Sequence, residues 1–244
     1  MANPLSKLLR VFLKEDRIWE IKNRNNIPSM EWSLMHIKKL GFESAFAVDV
    51  GAYDGEWTEM YKKIFPEAVV LMVEAQYEKE NQLKAVTEKL PGTHFHICLL
   101  GATKGQPVTF YVNSTVSSVL KEHQPNTFVE QQRQLETLTA VIENHQLGQP
   151  DFIKLDVQGY EIEILKGATA ILDNAQFVLS EISLIDINQD CPLFAEVIAF
   201  MDQKGFSVYD ICSFMRRPLD RALWQTDVLF IRKTHPLIQN KYWG

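Results

Sequence analysis

Four acidic residues, Asp49, Glu74, Asp156 and Glu181, stand at or next to the ends of short apolar runs. A carboxylate at the mouth of a buried strand is poised to bind a ligand or take a proton. The first lies in Asp49-Val50-Gly51-Ala52-Tyr53-Asp54-Gly55, an apolar run that breaks into a tight glycine turn. Gly51 lets backbone approach a ligand there, and Gly55 lets the following helix pack close to the strand. The pattern differs from GxGxxG, because Tyr53 stands where a dinucleotide fold needs its second glycine. Asp49 repels a phosphate but suits an ammonium or sulfonium cation. The turn therefore favours a zwitterionic, cationic nucleoside over a pyrophosphate.

The other acids extend this reading. Glu74 closes the next apolar run, where a carboxylate holds a ribose diol by two hydrogen bonds. Asp156 ends the run Phe152-Ile153-Lys154-Leu155. It could hold a cofactor's amino group, take a proton, bind a metal, or cap the helix that starts near Gly159. Glu181 follows Phe177-Val178-Leu179-Ser180 and is expected to face the same pocket. Glu161 and Glu163 open a helix, where its dipole alone accounts for acids. His94 and His96 share a strand face, but the pattern places no third ligand beside them, so no metal is expected. Ser117, Ser118 and His123 fall in an irregular segment that could cover an acceptor.

These residues must be positioned by alternating strands and helices. Apolar runs at 45–50, 68–73, 94–100, 152–157 and 177–182 read as buried strands. Helical patterns at 56–65, 79–90, 138–145, 159–172 and 193–204 lie among them. That alternation predicts a parallel sheet with helices on both faces. Further strands are expected at 108–112, 128–135, 206–211 and 223–232, the last with the mixed polarity of an antiparallel closing pair. Upstream, Leu5, Leu8, Leu9, Phe12 and Leu13 recur at helical spacing among basic residues. A second helix, 30–40, is expected with Ser29 as N-cap and Gly41 at its close. This gives a helical extension over 1–41 and one α/β domain over 42–244.

Composition bounds the partners. With 46% hydrophobic residues and few Gly and Pro, the 244-residue chain can bury a full core. The longest apolar runs are strand-length, so no membrane span is expected. A formal net charge of −6 argues against nucleic acid as the main partner. Cys98, Cys191 and Cys212 are too few and too far apart for a disulfide framework. The opening residues lack the apolar core of a signal peptide, so a cytoplasmic location is expected. The apolar face of the first helix could pack across the domain or serve as a homodimer contact.

In order, these segments resemble the FkbM family of S-adenosylmethionine-dependent methyltransferases. The resemblance rests on residues 48–57, Val73-Glu74, Leu99-Leu100-Gly101, residues 153–161, Leu165-Lys166-Gly167-Ala168 and Leu179-Ser180-Glu181. It covers about residues 45 to 212. At three places the chain departs from the family's usual residues, with Tyr53 for Asn, Ala75 for Pro and Gln158 for Glu. The last removes a carboxylate near the expected acceptor site.

The resemblance implies a Rossmann-like, seven-stranded class I methyltransferase sheet, mostly parallel, with one antiparallel strand near the C-terminus. It implies that Asp49, Gly51, Ala52, Tyr53 and Gly55 surround the methionine part of S-adenosylmethionine. Glu74 and Ala75 would meet the ribose, Leu99 and Leu100 the adenine, and Asp156 the point where methionine and acceptor come together. The expected reaction is O-methylation of a small molecule, sugar or other natural product, with Asp156 and then Glu181 as candidate bases. Two alternatives stay open on the residues alone: a nicotinamide-dependent oxidoreductase or epimerase, and a catalytically silent binding module.

Overall fold

The computed structural model describes residues 27–113, 116–124 and 127–243. The basic amphipathic stretch from Leu5 to Leu13 lies outside them. Helix α1, Met30–Lys39, starts where expected, with the Ser29 hydroxyl accepting from the Trp32 N–H. Its buried residues Leu34 and Ile37 pack with Tyr61 and Phe65 of the α/β layers.

Strands β1 (Phe46–Val50), β2 (Val69–Glu74) and β3 (Thr93–Ile97) alternate with helices α2 (Glu56–Ile64) and α3 (Glu80–Lys89). The three strands run parallel and step outward in one direction. The chain then returns to the other side of β1 to form β7 (Phe152–Leu155) and β8 (Phe177–Ser183), again parallel. The strand order therefore reverses between β1 and β7, which opens a crevice at their carboxyl ends. Strand β11 (Leu223–Arg232) runs antiparallel to β8. Its outer edge is covered in turn by β9 (Phe206–Ile211) and the two-residue β10 (Met215–Arg216). The sheet order is β3-β2-β1-β7-β8-β11, with β9 and β10 sharing the last rank. This is the expected mostly parallel α/β sheet with one strand reversed, but it has eight strands where seven were expected, because the two-residue β10 adds a pair on the edge of β11.

Side chains of one strand alternate between two cores. Phe152 faces α1 and α2, while Ile153 and Leu155 face the opposite helical layer. Every residue of β1 and β7 is buried, which explains their nearly continuous apolar sequences.

Two elements differ from the sequence expectation. The strand foreseen over 94–100 breaks at Cys98. Beyond it, β4 (Leu99–Leu100) leaves the main sheet and pairs with β6 (Val129–Glu136), which in turn pairs with β5 (Pro107–Val112). Leu99, Phe110 and Leu135 bury the inner face of this small sheet. The helix foreseen over 159–172 splits into α5 (Glu161–Lys166) and α6 (Thr169–Asn174). At the break, a Cβ on Gly167 would lie 2.4 Å from the Gly101 carbonyl oxygen, so the backbone passes too close for any side chain. Helices α4 (Leu138–His145) and α7 (Phe194–Gln203) form as expected.

Candidate active site

A cavity of about 400 Å³ opens at the carboxyl ends of β1, β2, β7 and β8, large enough for a nucleoside cofactor. Among the described residues that line it, Glu74, Asp156 and Glu181 are acidic and none is basic. Gly51, Tyr53, Ala75, Leu99 and Leu100 line it too.

Glu74 is held by backbone. Its two carboxylate oxygens accept from the Tyr53 and Gln76 N–H groups, both at 2.8 Å. Burial raises its pKa, and those two bonds oppose the rise. Tyr53 sits at φ 48°, an uncommon conformation for a residue with a Cβ, and Lys79 Nζ lies 3.2 Å from its ring centroid. Gly51 has φ 73°, and a Cβ there would fall 1.9 Å from the Asp156 carbonyl oxygen. The glycine thus admits the end of β7, which places the two strand ends side by side.

Three expected cofactor residues do not line the cavity. Asp49 is fully buried under the turn, where it accepts from the Thr58 hydroxyl at 2.8 Å and pairs with Lys154 Nζ at 3.0 Å. Strand register sets that pair, because Asp49 and Lys154 are direct neighbours on β1 and β7. Ala52 is buried in the core formed by Met72, Leu83 and Val86. Gly55 starts α2 at φ 78°, and a Cβ there would press on Val86 at 2.9 Å. All three shape the turn from behind.

At the other end, side chains hold side chains. Asp156 is 40% exposed, with Lys154 Nζ 3.7 Å from Oδ2. Glu181 is more deeply set, and its Oε2 accepts from the Gln158 and Gln225 amides, each at 2.8 Å. Burial, followed by the charges of Asp156, Glu161 and Asp227, pushes its carboxyl well above the ordinary range. Gln158 also reaches Asp156 Oδ1 at 3.4 Å, so its amide bridges the two acids. A Glu at this position would place a third carboxyl group beside the two acids, whereas the amide supplies a donor. Its backbone sits at φ 59°, and its carbonyl accepts from Ser118 and Asn188.

Lys154, Gln225 and Trp224 were missed as site residues by sequence reasoning. Burial disfavours the Lys154 charge, but Asp49 and Asp156 outweigh it and raise the pKa. A lysine inside a buried apolar run was the available signal, since such a charge needs a partner. Gln225 and Thr226 are buried polar residues within apolar β11, a similar but weaker sign. Ser117 and Ser118 do line the cavity, whereas His123 pairs with Asp186 at 3.4 Å outside it. Glu161 folds back to accept from the Val157 and Gly159 N–H groups, and burial pushes its carboxyl up to about 7. Glu163 pairs with Lys166 on the surface.

Residues 49–208 match the methyltransferase FkbM domain. The chain belongs to that family. The FkbM match begins at Asp49 and contains both ends of the cavity up to Glu181. The chain is 24% identical to methyltransferase sdnD of Sordaria araneosa over 214 residues, covering 75% of this chain and 78% of that one. Among solved structures it is similar to an FkbM methyltransferase from Methylobacillus flagellatus KT, with 18% identity and a TM-score of 0.48. That likeness covers 77% of this chain but only 43% of the solved one. The N-terminal domain of EvdMO1, solved with SAH bound, is 8% identical with a TM-score of 0.48, covering 85% and 82% of the two chains. Among the described residues, no helix is long and apolar enough to cross a membrane.

Proposed function

We propose that this protein is an S-adenosylmethionine-dependent O-methyltransferase that acts on a hydroxyl of a small molecule, a sugar or another natural product. One observation carries the reading. The cavity at the strand-order reversal has three carboxyl groups and no basic group on its described walls. Such a wall attracts a sulfonium and repels a pyrophosphate. Membership of a methyltransferase family selects methyl transfer over the hydride transfer of a nicotinamide enzyme.

The residues present fit the cofactor. Glu74 keeps a lone pair on each oxygen for a ribose diol after binding its two backbone donors. Leu99, Leu100 and Ala75 offer an apolar wall to adenine, while Gly51, Tyr53 and Asp156 border the methionine part. Ala52, Gly55 and Asp49 act from behind, by holding the turn. Bound S-adenosylmethionine supplies an electrophilic methyl group on a positively charged sulfur.

Asp156 is the general base of this proposal, because it is the accessible carboxylate at the acceptor end. An acceptor hydroxyl held at this end of the cavity would give its proton to Asp156. Lys154 Nζ lies 3.7 Å from its Oδ2, and the Gln158 amide, 3.4 Å from Oδ1, orients it. Glu181 anchors the two amides, and its raised pKa makes it the second candidate base. Residues 42–244 form the catalytic domain on this reading, with 1–41 as an N-terminal extension. The three buried free cysteines agree with a cytoplasmic, reducing home.

Calorimetry with the purified chain tests the first half. S-adenosylmethionine should bind one to one and NADH should not. The second half is tested by incubation with a metabolite extract, which should yield S-adenosylhomocysteine and a methylated product. Cofactor binding without any product would leave the silent binding module as the better description.

A further inference from the structure

We propose that His96, Cys98 and Glu136 form a binding site for a divalent transition metal, zinc by the chemistry of the ligands. Cys98 is part of the cavity lining, next to Leu99 and Leu100. The ligand atoms of the three residues lie within 4.8 Å of one another. Imidazole, thiolate and carboxylate are the three donor types that zinc takes. The sequence offers His96 only its strand neighbour His94. The fold supplies different partners, because the chain leaves the main sheet at Cys98 and brings β6 alongside.

Backbone positions the three donors. The Cys98 N–H donates to the Glu74 carbonyl at 2.9 Å, which fixes the residue between β3 and β4. Glu136 is the register partner of Leu100, and its carbonyl accepts from the Gly101 N–H at 2.9 Å. His96 directs Nε2 toward the Glu136 carboxylate at 3.8 Å.

The other ring nitrogen of His96 strengthens the case. Nδ1 lies 3.1 Å from His145 Nε2, at the end of α4. At that distance His145 Nε2 can accept a hydrogen bond from His96 Nδ1. A hydrogen on His96 Nδ1 then leaves the Nε2 lone pair free on the side of Glu136. This is the arrangement by which a metal-binding histidine is usually oriented.

Tetrahedral zinc with bonds of about 2.0–2.3 Å needs its ligands roughly 3.3–3.8 Å apart. Closing on an ion thus requires about 1 Å of movement, which the partly exposed Glu136 side chain can supply. The Cys98 thiol loses its proton to solvent on binding. A water molecule completes four-coordination. The ion would tie the ends of β3 and β6 together next to Leu99 and Leu100.

The test is cobalt(II) titration of the chelator-treated full chain, followed by zinc displacement. The site predicts one equivalent bound, with a near-ultraviolet thiolate-to-cobalt band that zinc abolishes. Cys98→Ser should lose that band while its thermal unfolding without metal stays within a few degrees of wild type. His145→Phe should weaken binding about 10–100-fold while keeping the band. A wild-type chain that binds no cobalt, or binds it without a thiolate band, overturns the proposal. So does an undiminished band in Cys98→Ser, which would move the ion to another cysteine. None of these readouts depends on methyl transfer, so the site and the proposed function can fail separately.

Discussion

The two ends of the cavity are built on different principles. At the proposed ribose end, Glu74 is fixed by two backbone N–H groups, from the turn after β1 and the turn after β2. At the proposed acceptor end, Glu181 is fixed by two side-chain amides, and Asp156 by one amide and one ammonium. A carboxylate held by backbone tolerates changes in neighbouring side chains. A carboxylate held by side chains depends on each of them. On the proposed reading, the first end suits a constant cofactor and the second, which holds Gln158, a ligand set by the side chains around it.

Lys154 is the residue whose loss should break the acceptor end most completely. Its ammonium neutralises the fully buried Asp49 and touches Asp156. Lys154→Met leaves Asp49 buried and unpaired, which costs about 3–5 kcal/mol. Urea unfolding measures this, and a loss below about 1 kcal/mol would mean that Asp49 has another partner or takes up a proton. Next in size is Asp156→Asn. Losing the base should lower turnover by about 100-fold or more, while S-adenosylmethionine affinity changes less than about tenfold. Turnover within threefold of wild type would pass the role to Glu181.

The same contrast explains what was legible in the sequence. The parallel sheet and the place of Glu74 at a strand end could be read because strand ends and glycine turns are local signals. Ser29 marks a helix start in the same local way. Asp49 was expected to meet the cofactor, but it lies buried under the turn, because its side-chain direction depends on pairing with β7, a hundred residues away. Lys154 and Gln225 acquire their roles only through strand register. The break at Gly167 could not be read either, because its cause is the backbone of Gly101 on another element.

Glu161 gives a pH test midway between the two principles, since it is a buried acid held by its own loop's backbone. Its carboxyl is raised to about 7 in the folded chain, against an ordinary value near 4.5. Between these values the folded state binds more protons than the unfolded state. Stability therefore falls as pH rises from about 4.5 to about 7. Glu161→Gln keeps an oxygen to accept from Val157 and Gly159 but removes the titration. The variant should lose about 1–2 kcal/mol less than wild type between pH 5 and pH 7. Parallel stability curves for the two proteins would show that Glu161 titrates normally.

The smallest expected effect is the one that sharpens the comparison. In Glu74→Gln, the amide oxygen can satisfy only one side of the old carboxylate, and the NH₂ group faces the other backbone N–H. One turn loses its acceptor, and a ribose hydroxyl loses a charged partner. Cofactor affinity should fall about tenfold by calorimetry, equivalent to about 1.4 kcal/mol. Asp156 is untouched, so turnover at saturating cofactor should stay within a few-fold of wild type. Gln158→Leu makes the reciprocal change at the other end, where it strips one amide from Glu181 and the bridge to Asp156. It should lower turnover while cofactor affinity stays within about threefold. If both variants lowered affinity and turnover together, the two ends would behave as one coupled network and the distinction between them would be lost.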